Sequence, residues 1–214
     1  MQRKPYLLLV VAILGMVVLA CSMGNQAEPV TNDVIFQDDF SDTTSGWDRV
    51  NLPEGITDYE DGVYRIFVNT GNTDYWANPG LNFEDAIIEV EATKVGGPDD
   101  NDFGLICRHQ NTENFYIFLI SSDGFFGILR VIDGEQKLLE MDEMEYSESI
   151  NTGNSTNVIR ADCIGSSLTL YVNSEQLISV EESSLESGDV GLLAGTFDIL
   201  GTDIHFDNFL VRTP

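Results

Sequence analysis

Over much of the chain apolar and polar residues alternate one by one, the signature of half-buried β-strands whose successive side chains leave opposite faces. "AIIEVEATKV" sets Ile88, Val90 and Ala92 against Glu89, Glu91 and Thr93, and "VIRADCIG" sets Ile159, Ala161 and Cys163 against Arg160 and Asp162. "NFYIFLISSDGFFGILRVIDGE" is apolar on both faces and is cut at Asp123-Gly124 and Asp133-Gly134, dipeptides that favour hairpin turns because glycine accepts positive φ. Strand signals continue at "SLTLYVN", "QLISVE", "DVGLLAGTF" and "DIHFDNFLV". No long segment has a 3.6-residue period, and the most acidic stretch, "LLEMDEMEYSESI", is too polar to bury a helical face. The pattern predicts an all-β sandwich of roughly a dozen strands.

The N-terminus breaks this pattern. Arg3 and Lys4 precede an apolar run from Tyr6 to Ala20, the layout of a secretory signal helix. The run is shorter than the ~18 residues a bilayer-spanning helix needs. Val18-Leu19-Ala20-Cys21 resembles the bacterial lipobox, which implies that residues 1–20 are removed as a signal peptide and that Cys21 is acylated as the new N-terminus. Plain secretion and a retained helix stay open beside that reading. Acyl chains contribute ~0.8 kcal/mol per buried CH₂, so a lipid-bearing Cys21 would hold a domain at a bilayer, on the outer face of a bacterial membrane. Residues 21–33 then read as the lipidated cysteine with a polar flexible tether, and residues 34–214 as one domain.

Charge narrows the partners. Without Arg3 and Lys4 the chain has 36 acidic residues against 8 basic ones, a net charge of −28. Nucleic acid is excluded, because phosphate binding needs clustered Lys and Arg. The acids are spread along the chain, which suits a solvated exterior, and calcium is the partner such a charge favours.

The segments "IFQDDFSDTTSGWD", "YEDGVYRI", "FGLICRHQNTENFYIFLISSDG", "LTLYVN", "GDVGLLAGTF" and "IHFDNFLV" together resemble the concanavalin A-like jelly roll, over about residues 34 to 212. The likeness is greatest to bacterial lipoprotein domains related to laminin-G-like modules and the 3-keto-disaccharide hydrolase domain. It implies two stacked, curved antiparallel sheets, with a carbohydrate site on the concave face. Ser174 stands where related sequences carry Asn-Gly after "LYV", so that hairpin must turn on a less permissive residue.

Candidate chemistry is sparse. Laminarinases and lichenases of this fold carry Glu-x-Asp-x-(x)-Glu on one strand, and "EMDEMEY" offers Glu140, Asp142 and Glu145 at the longer spacing. Glu143 interrupts the apolar positions that would anchor such a strand, so an acidic surface loop is the favoured reading. His109 and His205 are far apart, and there is no Gly-x-Ser-x-Gly elbow or zinc spacing. Cys107 shares its face with Phe103 and Leu105, and Cys163 with Ile159 and Ala161, so both point inward. In an exported protein such a pair favours a disulfide over two buried thiols.

If Cys107 faces the core, Arg108 faces away. Tyr116 and Phe118, read as alternating with core-facing Phe115, Ile117 and Leu119, would join it on an open face, with Asn114 at the strand's start and Trp76 as a second wall. Rings that stack on pyranose faces beside planar polar groups suit sugar recognition. Core packing is the competing reading for every ring here, and more so for Trp47. No cofactor is required. A structural calcium ion where first and last strands meet would use Asp39 and Asp207, whereas Asp99, Asp100, Asn101 and Asp102 fail the calcium-loop spacing because Phe103 occupies a ligand position.

The expectation is an anchored, extracytoplasmic lipoprotein that binds a glycan without turning it over. A glycoside or keto-sugar hydrolase and a structural envelope adaptor are the alternatives.

Overall fold

The computed structural model describes residues 33–214; the expected leader, Cys21 and the expected tether up to residue 32 lie outside the described residues. The described residues form strands, turns and loops, with no helix among them. The strands are β1 (Val34–Asp38), β2 (Val50–Leu52), β3 (Gly55–Glu60), β4 (Val63–Val68), β5 (Thr73–Ala77), β6 (Ala86–Gly96), β7 (Asn101–Asn111) and β8 (Asn114–Ile120). There follow β9 (Phe125–Ile132), β10 (Glu135–Leu138), β11 (Glu145–Tyr146), β12 (Thr156–Ile164), β13 (Ser167–Val172), β14 (Glu175–Glu181), β15 (Asp189–Thr196) and β16 (Thr202–Arg212).

They assemble into two antiparallel sheets. Nine strands run β14-β13-β12-β6-β16-β4-β3-β2, with β1 also paired to β16, and seven run β10-β9-β8-β7-β15-β5, with β11 also paired to β9. The alternation written in β6 and β12 decides which faces meet. Ile88, Val90 and Ala92 on β6 and Ile159, Ala161 and Cys163 on β12 are buried between the layers, and Phe103, Leu105, Cys107 and Leu192 meet them from the other sheet. Cys107 and Cys163 are joined by a disulfide that ties β7 of one sheet to β12 of the other.

Turn chemistry sets the registers. Asp61-Gly62, Asp133-Gly134 and Asn173-Ser174 each put two consecutive residues at positive φ, as two-residue hairpins matching the strands' twist require. Ser174 thus adopts, at φ 74°, a conformation that glycine would take without strain. The Asn173 side chain braces this hairpin: its amide donates to the Ser149 carbonyl and its oxygen accepts from Val158 N.

Near the sandwich's first strand, Trp47 stacks edge-on against Phe40 and Phe209 and lies beside Tyr64. Its Nε1–H donates to the buried carboxylate of Asp38, which also accepts from Phe40 N and the Ser45 hydroxyl. The chain's described ends meet, because β1 lies along β16 and Asp33 and Thr213 exchange two hydrogen bonds.

Candidate functional site

Residues directly opposite one another in an antiparallel pair share a face. Cys107 is opposite Tyr116, Leu105 opposite Phe118 and Phe103 opposite Ile120, so Tyr116 and Phe118 enter the inter-sheet core with Cys107, and both are fully buried. The parity expected for β8 is therefore reversed: Phe115, Ile117 and Leu119 occupy the outer face.

Arg108 is no platform residue either. It sits in a β-bulge at φ 52°, and its guanidinium, 3% exposed, turns to the end of the sandwich. Nε donates to the Glu84 carbonyl, an Nη to the Leu185 carbonyl and the other Nη to Asp85 at 3.3 Å. Leu185 N donates to the Tyr116 hydroxyl, so Arg108 and Tyr116 together pin the 182–188 connection. Arg108 also lines a cleft of about 420 Å³ with Ser166 and Glu186. Asn114 clamps a turn, donating to Asn111 Oδ1 and accepting from Asp133 N. The open concavity shared by Arg108, Tyr116, Phe118 and Asn114 does not form, because β8 is apolar on both faces and its alternation could not say which face was inner.

Instead, the outer face of the seven-stranded sheet carries a second apolar cluster. Ile106, Phe115, Ile117, Leu119, Val131 and Leu193 are buried there, with Trp76, Leu129 and Met144 packed against them. Trp76 on β5 and Phe115 on β8 come within 5.9 Å, and His109 stacks 5.3 Å from Phe115. Burial depresses the His109 pKa, with Asp48 opposing, and its buried Nε2 has no hydrogen-bond partner.

Trp76 alone of the five expected binding residues keeps an accessible, half-buried ring. It borders a cleft of about 400 Å³ between the free edges of β2 and β5, lined also by Asp48, Arg49, Val50, Asp74 and Tyr75. The cleft's walls are held in place. Asp48 N donates to the Asn78 carbonyl, Asn78 N donates to the Asp48 carboxylate, and Arg49 pairs with Asp58 at 2.6 Å. An indole beside two carboxylates and a guanidinium can stack on an apolar ring face and accept or donate hydrogen bonds at its rim.

The other sequence candidates are dispersed. Glu140 and Asp142 lie outside any strand and Glu145 begins the two-residue β11; Glu140 and Glu145 are exposed, and no single strand face carries all three. Asp39 accepts from Ser41 and Asp207 from Asn208 N; among the described residues no group of three or more metal-ligating side chains forms. The buried acid near that junction is Asp38, the neighbour of the expected one.

A feature invisible in the chain lies beside Trp76. Asp74, Gly195 and Asp102 stand in register on β5, β15 and β7, on the outer face. Burial is the main cause that pushes Asp102 up to about 7, with Asp74 and Asp100 adding repulsion, and burial raises Asp74 too. Only the pairing of three strands distant in sequence brings these acids together.

The fold defines the class: a concanavalin A-like jelly-roll sandwich. Within it, the chain is similar to a carbohydrate-binding module, CBM66, from Bacillus subtilis, with TM-score 0.65 and 15% identity over 78% of this chain and 96% of that one. It is also similar to a protein of unknown function with a galectin-like fold from Bacillus subtilis, with TM-score 0.63 and 9% identity over 84% and 96%. A third is the GH43 protein BlXynB from Bacillus licheniformis, with TM-score 0.61 and 17% identity over 85% and 40%. At such identities the likeness is one of fold. No family model and no curated protein matches the sequence.

Proposed function

We propose that this protein is an exported, lipid-anchored glycan-binding protein whose ligand docks in the Trp76 cleft and is not turned over. The observation that carries the reading is the half-buried Trp76 ring, placed beside Asp48, Asp74 and Arg49 at the joined edges of the two sheets. Sugar recognition needs such a ring for the apolar face and polar groups for the hydroxyls. The CBM66 and GH43 neighbours lend support through fold analogy. Acylated Cys21 would supply the anchor, placing the domain outside the cytoplasm. The strongly acidic chain favours neutral or cationic sugars over uronates.

The test is a glycan array probed with the protein. Hits should be weakened at least tenfold by Trp76→Ala and left unchanged by Arg108→Lys in folded protein, with no reducing ends released. An array without hits would sink the glycan reading, and release of product would replace it with a hydrolase.

A further inference from the structure

Three strands set the geometry of one point on the outer face. A Cβ built on Gly195 would lie 2.1 Å from Asp102 Oδ1 and 2.1 Å from Asp74 Oδ1. The two carboxylate oxygens therefore converge over the one residue that has no side chain, within twice that distance of each other. Asp102 is 8% exposed, and its Oδ1 is buried without any hydrogen-bond partner.

Two acids aimed at a common point need a positive species between them. Arg49, which lines the cleft beside Asp74, is paired with Asp58 instead. Asp100 adds more negative charge. We propose that Asp74 and Asp102 hold a divalent cation, calcium, above Gly195.

The spacing suits it. Calcium takes oxygen ligands at about 2.3–2.6 Å, so two of its ligands can stand at the separation of these oxygens, with water completing the shell. Two carboxylates make a weak site, and extracellular modules work with dissociation constants of about 10⁻⁴–10⁻³ M. The chain's formal charge of −26 raises the local concentration of cations. The site does not depend on glycan binding, which is read separately.

Trp76 provides the reporter, since it lies two residues from Asp74 on the same face of β5, a rise of about 7 Å. The full chain, stripped with EDTA, is titrated with terbium under tryptophan excitation, and its melting is followed with and without 5-fold-spaced additions of calcium. Expected are sensitised terbium emission that calcium displaces, lost in Trp76→Phe and Asp102→Asn but kept in Asp39→Asn, and a melting temperature that calcium raises in wild type and not in Asp102→Asn. If Asp102→Asn does not fold, Asp74→Asn carries the same comparison. Absence of a calcium effect in wild type, or an equal effect in wild type and variant, overturns the proposal; in the first case a shared proton holds the pair.

Discussion

A buried guanidinium held by two carbonyls and a carboxylate is expensive to remove, because its partners are left without donors. Arg108→Ala should therefore destabilise the domain by about 3 kcal/mol in a denaturant titration, a structural effect rather than a ligand-binding one. His109 sets a pH response at the same scale. Its folded-state pKa is depressed by burial, so the unfolded chain takes up the proton more readily. The neutral imidazole is favoured above its ordinary value of about 6.5, and stability is lost as pH falls through that value toward the folded one. Buried Asp102 and Asp74, with raised values, act in the opposite sense over the same range, so the imidazole is read as a difference: between pH 7 and pH 5 the melting temperature of wild type should fall relative to that of His109→Gln. Some residue roles were readable in the chain: Trp47 was expected as a packing residue and is one. Arg108 was not readable, since nothing in "CRHQ" announces a bulge that swings its side chain out of the alternating pattern.

Strand pairs impose harder limits than single side chains. Gly104 lies where a Cβ would come 1.9 Å from the Phe118 carbonyl oxygen on the neighbouring strand. Gly104→Ala must push β7 from β8, and a loss of about 3 kcal/mol or outright misfolding is expected by circular dichroism melting. The disulfide closes a separation of 56 residues and spans the two layers. Its reduction, or the Cys163→Ser variant, should cost about 4 kcal/mol in the chain-entropy model, measured as the shift of the urea midpoint. Period-two alternation exposed the inner faces of β6 and β12 because their outer residues are charged or polar. For β8 it had no such contrast to use, and only the pairing of Cys107 with Tyr116 orients the strand. The acids of β5 and β7 were hidden for a related reason: their meeting depends on β15 lying between them, a non-local fact that no window of sequence contains.

For the molecule as a whole, the all-β sandwich and several of its turns follow from hydrophobic alternation and Asp-Gly punctuation, and its antiparallel sheets from the resemblance to the concanavalin A-like jelly roll. The proposed recognition surface does not, because it arises where the edge of one sheet meets the edge of the other. β2 and β5 end their respective sheets, and the cleft between them exposes the half-buried Trp76 ring without opening the core. Deleting the ring by Trp76→Ala should leave the melting temperature within a few degrees of wild type while abolishing retention on any glycan that the array identifies.

The adjacency of Asp33 and Thr213 reaches further than local bonding. A domain whose described first and last strands lie side by side can be recut: with Pro214 joined to Asp33 through a short Gly-Ser bridge and the backbone opened at the exposed Asp61-Gly62 turn, the same layers should stack. Such a circular permutant would carry any anchoring segment at a different pole, so that the domain could be displayed upside down on its support with every internal contact kept.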